Sequence, residues 1–171
     1  MLNTLDLPTL ADLFIHGVKE YPSVRGIVPD TLPYDQKSSF SLTISHRNTY
    51  TGVTDNDRAL TIRSFTEFAS KAVKRGNGWA VGTFAKEFRA PGHVALLKPS
   101  LPLLKSRMGH TELTTAIAIM AGLTPSVTMC EMLGDDGNSL SKSKAKEYAV
   151  SHNLTFLEGW EILEAWKTWS K

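Results

Sequence analysis

The densest run of chemically useful residues is Arg107-Met108-Gly109-His110-Thr111-Glu112. Apolar spacing places a helix start at Thr111, with Leu113, Ile117, Met120 and Ala121 following on one face. The first N–H groups of a helix have no partner within it and, together with the dipole, attract anions. An Arg adds a fork of donors matched to phosphate, and a Thr adds a hydroxyl, so the run reads as a phosphate cradle. His110 inside it is a candidate metal ligand or acid–base group. The plainer alternative is a capped helix with solvated charges.

Two further groups carry chemistry. In Arg89-Ala90-Pro91-Gly92-His93, a tight turn leads into a short buried strand, Val94 to Leu97, and fixes His93 at its start. A satisfied structural histidine is the competing reading. Cys130-Glu131 ends an apolar run from Ser126 to Met132, read as a strand. Sites in α/β proteins gather at the C-terminal ends of strands, which makes Glu131 a candidate base. A strand end turning to solvent would explain it equally well. Cys130 reads as a small core residue. Gly76, Gly78 and Gly82 have the wrong spacing and context for a nucleotide loop, and Asp135-Asp136-Gly137 lacks the spaced ligands of a calcium loop.

The elements that must position these residues follow from periodicity. A helix is expected from Pro8 to Tyr21, then a Pro-punctuated connection from Ser23 to Ser39. Phe40 to Ile44 alternates as a half-buried strand. Thr54 caps a helix reaching Lys74, with Asp57 at its third position in a shortened capping box. Arg75 to Phe84, interrupted by glycines, is expected to be a loop. Gly122 and Pro125 stop the helix begun at Thr111. Asp135 to Asn138 is a turn, Ser141 caps a helix, Leu154 to Leu157 is a short strand, and Trp160 to Trp169 is a closing helix. Alternating strands and helices point to a layered α/β fold, with residues 1–171 as a single domain.

Composition narrows the function classes. Lys and Arg number 19 against 17 Asp and Glu, and a net charge of +2 is too weak for a dedicated nucleic-acid binder. A single cysteine excludes an intrachain disulfide and Cys-rich zinc sites. No apolar stretch is long enough to span a membrane, and Met1 to Leu7 has no signal-peptide pattern. The expectation is cytoplasmic, with neither nucleic acid nor membrane as partner.

The three chemical motifs, 89–93, 107–112 and 130–132, resemble those of 3,4-dihydroxy-2-butanone 4-phosphate synthase of riboflavin biosynthesis. Tyr34 to Ser41 and Thr51 to Ala59 are similar to the archaeal form of the same family. The resemblance implies an α-β-α sandwich and a reaction: ribulose 5-phosphate is enolised, dehydrated, rearranged and fragmented, losing C4 as formate. It implies magnesium or manganese with His110 as a ligand. Arg107, Met108, Gly109, His110, Thr111, Glu131 and Thr51 become substrate-binding positions, and His93 and Glu131 the acid–base pair. It also implies a homodimer in which His93 serves the neighbouring site.

One departure stands out. The family's first third carries an acidic loop with another metal-binding glutamate and a strand bearing an active-site cysteine, and neither has a counterpart here. The expectation is therefore an N-terminally truncated form, the C-terminal two-thirds of the synthase fold. Three situations fit it: one piece of a split enzyme that needs an N-terminal partner polypeptide, a degenerate phosphosugar-binding paralogue, or an incomplete gene product.

Overall fold

The protein is described by a computed structural model, which covers residues 8–10, 13, 32, 38–75 and 77–170. Strand β1 (Phe40–His46) pairs antiparallel with β2 (Phe88–Leu97). Phe40 faces Leu97 and Ile44 faces Val94, but Ser45 faces Arg89 and His46 faces Phe88. Residues 90–93 are therefore extra on β2 and bulge out of the ladder. This corrects the expected tight turn followed by a four-residue strand: β2 starts six residues earlier and carries the Pro91-Gly92 pair within it. A Cβ at Gly92 would lie 2.0 Å from the carbonyl carbon of Ile44, so the bulge requires glycine there.

Helix α1 (Asp55–Arg75) begins where expected, with Thr54 Oγ1 accepting the Asp57 N–H at 3.3 Å. The Asp57 carboxylate turns instead to the Gly52 N–H, at 2.8 Å. Helix α2 (Asn77–Glu87) occupies the stretch expected as a loop. Each interior glycine costs a helix about 1 kcal/mol, and aromatic packing outweighs that here. Trp79 stacks on Phe68 with centroids 5.7 Å apart, and Phe84 lies against Phe68 and Phe88. With Ile44, Ala72, Ala80 and Leu96 these rings form one core between the sheet and α1 and α2.

Helix α3 (His110–Met120) starts after Gly109 and ends in a left-handed Gly122. The Leu123 N–H reaches back to Ala118 O and the Gly122 N–H to Ile119 O, the closure expected of that glycine. Helix α4 (Lys142–Ser151) is capped by Ser141 and α5 (Gly159–Trp169) by Glu158, as a capping box with Glu161. A second cluster joins Leu104 and Ala116 to Ile162 of α5.

Two expected strands are not formed: 126–132 and 154–157 are irregular. A strand needs a ladder partner, and among the described residues neither has one. A Leu133–Ser139 bridge closes the turn at 135–138, with the Gly134 N–H donating to Asn138 O and the Leu140 N–H to Met132 O, each at 2.7 Å. Leu10 and Leu13 are helical, and the rest of the helix expected from Pro8 lies outside the described residues, as does nearly all of the connection after it. Among the described residues no helix is long and apolar enough to cross a membrane. Helices combined with a sheet agree with the α/β expectation.

Candidate active site

A cavity of about 390 Å³ opens between β2, α1, the start of α3 and residues 125–129. His93 and Thr111, two of the site residues expected from sequence, both line it. The bulge in β2 places His93, whose N–H donates to Ser45 Oγ at 3.1 Å. Ser45 is fully buried, so this part of the strand is held from below. The loop carrying Thr51 comes to the same corner. A Cβ at Gly52 would sit 2.4 Å from Ser45 Oγ and 3.1 Å from His93 Nδ1, and φ there is +88°. Only glycine meets both conditions. Arg89 ties the loop down through Nη2, which donates to Thr49 Oγ1 at 3.2 Å and to Tyr50 O at 3.1 Å. Thr51 Oγ1 and the Gly52 N–H both turn to Asp57. The two motifs, 89–93 and 51–59, are thus one physical unit.

The second unit is the N-terminus of α3. Gly109 is its N-cap residue, with extended φ −80° and ψ 168° and no side chain to cap. Arg107 folds over that glycine: a Cβ at 109 would meet Arg107 Nη1 at 2.3 Å and Cζ at 2.6 Å. Its Nη1 donates to Glu112 Oε2 at 2.5 Å, while Oε1 of the same carboxylate accepts the Ser100 N–H at 2.8 Å. The Glu112 side chain is 0% exposed and that of Arg107 20%. Sequence reasoning included Glu112 in the motif but gave it no role. The available signal was an acidic residue five positions after an Arg at a helix start; its inward turn comes from the fold.

Other expected positions are placed differently. Met108 and His110 are exposed at the start of α3. Glu131 and Cys130 are exposed on the irregular 126–132 stretch, and the cavity lining ends at Met129. Cys130 is therefore not a core residue. Among the described residues no three His, Cys, Asp or Glu side chains gather in a way that could hold a metal ion. Magnesium favours several oxygen donors in near-octahedral geometry, so the described residues do not by themselves fit such an ion. The carboxylates clearly shifted from their ordinary titration lie away from the cavity. A hydrogen bond from Lys142 holds Glu158 low, and one from the Asn138 backbone holds Asp136 low.

Residues 2–165 match the family model described as 3,4-dihydroxy-2-butanone 4-phosphate synthase. A synthase of that name from Methanosarcina mazei is 50% identical over 169 residues, covering 97% of this chain and 67% of the relative. One from Archaeoglobus fulgidus is 43% identical, covering 95% and 68%. The crystal structure of the Candida albicans synthase superposes with a TM-score of 0.64 at 25% identity, covering 95% of this chain and 65% of that one. The chain thus spans about two thirds of the length of the relatives it matches.

Proposed function

The chain belongs to the 3,4-dihydroxy-2-butanone 4-phosphate synthase family, and from that premise we propose that it is a lyase of riboflavin biosynthesis acting on ribulose 5-phosphate. The products are 3,4-dihydroxy-2-butanone 4-phosphate and formate. One observation carries this reading: the helix N-terminus with Arg107, Gly109 and Thr111 adjoins a cavity that Thr111 shares with His93. The phosphate binds at the start of α3, where backbone N–H groups, the dipole and Arg107 converge. The sugar then extends along the cavity toward β2. His93, fixed through its backbone on Ser45, exchanges protons with the sugar carbons. Thr51 is carried beside His93 on the loop whose Gly52 packs against Ser45 and the His93 ring.

In this reading 1–171 is one domain that works as a cytoplasmic homodimer, and its site is completed by residues beyond those described. Two features support completion. The 126–132 stretch is β-prone, exposed at Val127 and Met132, and continues from residues that face β2 across the cavity. About a third of the relatives' length has no counterpart in the 171 residues. A further strand pairing with 126–132 would bring Glu131 into order as the second acid–base group. Magnesium or manganese belongs to the reading only as an ion whose donors besides His110 come from outside the described residues.

A second reading, a phosphosugar-binding relative without turnover, draws on the lack of a three-donor metal group among the described residues. Formate release from ribulose 5-phosphate with magnesium separates the two. The chain alone is expected to be inactive or very slow, and addition of a polypeptide carrying the family's acidic loop is expected to restore formate release. Binding without formate in the mixture would favour the second reading. Neither binding nor formate would overturn both.

A further inference from the structure

We propose that Glu112 is a positioning residue, which fixes the Arg107 guanidinium over the N-terminus of α3 before any ligand arrives. For its ligand readout this rests on the phosphate-binding reading above, but the geometry stands apart from it.

A carboxylate with no exposed surface is costly unless its charge is paired and its oxygens are hydrogen-bonded. Both oxygens of Glu112 are engaged, one by Arg107 Nη1 and the other by the Ser100 N–H. Those partners belong to two segments that precede α3, so one buried carboxylate ties both to the first turn of the helix. Its charge there also suits the positive end of the dipole. On the other side the guanidinium rests on Gly109, where any Cβ would collide with it. Arg107 is thus clamped between a bare backbone and a buried anion, with a fifth of its side chain open. Orienting a rotamer-rich side chain on binding costs conformational entropy. Here the fold has supplied that order in advance. The arrangement also separates two roles within the motif: Glu112 touches no ligand and acts only through Arg107.

The test uses the whole 171-residue chain labelled with nitrogen-15. Guanidinium N–H resonances of Arg107, assigned by their loss in Arg107→Lys, are expected to be resolved and slow to exchange in the wild type. In Glu112→Gln they are expected to average out, since Arg107 and Ser100 bond to different oxygens of the carboxylate and the amide replaces one of those acceptors with an NH2 donor and removes the charge. Calorimetry with ribulose 5-phosphate is expected to show about tenfold weaker binding, ~1.4 kcal/mol, in Glu112→Gln and at least that in Arg107→Ala. The double variant should be no weaker than Arg107→Ala. Unchanged Arg107 resonances in Glu112→Gln, or losses that multiply in the double variant, would overturn the inference. If Glu112→Gln loses its cooperative melt, Glu112→Asp takes its place. It keeps the charge but draws it back by one methylene, so the Arg107 resonances should shift and affinity should fall by a smaller factor. No change in either would equally overturn the inference. If the wild type fails to bind ribulose 5-phosphate, the phosphosugar reading fails, while the resonances still decide the role of Glu112.

Discussion

The elements behind the two sides of the cavity are built on opposite principles. On the β2 side, Phe65, Phe68, Trp79, Phe84 and Phe88 interlock as an apolar cluster, with the Arg75 guanidinium 5.2 Å over the Trp79 ring at its edge. On the α3 side, the first turn is organised around a buried Glu112 and its cation, with the aliphatic contacts to α5 a turn further along. The aromatic side gains stability from apolar burial and ring packing. A buried ion pair roughly breaks even against an apolar replacement, so what it contributes is direction. His93 therefore rides on a stable platform, and Arg107 is aimed by electrostatics.

The largest effect should come from breaking the platform. Phe68 is 2% exposed and contacts four other rings, so Phe68→Ala is expected to cost about 3–5 kcal/mol in urea unfolding. A loss under 1 kcal/mol would mean that the aromatic cluster is not a load-carrying core. The α3 side should respond differently. Arg107→Ala leaves a buried carboxylate without its partner and is expected to destabilise by about 3 kcal/mol. The double variant Arg107→Met with Glu112→Leu should recover part of that stability while still failing to bind ribulose 5-phosphate. Full recovery of binding would erase the distinction between the two sides.

Smaller effects sharpen the same contrast. A Cβ at Gly82 meets nothing within 4 Å. Gly82→Ala is therefore expected to stabilise the platform by about 1 kcal/mol through the propensity of α2, read as a raised melting temperature. No gain would suggest that 77–87 is not helical in solution. Smaller still is Glu158, partly exposed at the cap of α5 and held below the usual glutamate range by the Lys142 hydrogen bond. A depressed folded pKa gives stability that is present above the unfolded value, about 4.3, and is lost as pH falls through the folded one. Glu158→Gln should be slightly less stable than the wild type at neutral pH and should match it at strongly acid pH.

Much of this division was legible in the residues. Thr54, Ser141 and Gly122 marked helix ends through local chemistry, and α1, α3, α4 and α5 followed. What failed depended on contacts distant in sequence. The glycines of 76–82 argued for a loop because the rings that stabilise α2 come from α1 and β2. Ser126 to Met132 has the composition of a strand, but composition does not supply a ladder partner. Motif spacing located the phosphate cradle, yet it could not reveal that Glu112 turns inward or that Arg89 and Asp57 join two motifs around His93.

The most direct measurement is carbon-13 NMR of ribulose 5-phosphate labelled at C4, incubated with magnesium, this chain and a polypeptide carrying the family's acidic loop. The expected result is a formate resonance that grows with time, with the label lost from the phosphorylated product, and little or none from the chain alone. Label retained in a sugar phosphate, or no reaction in the complete mixture, would contradict a synthase role for this chain.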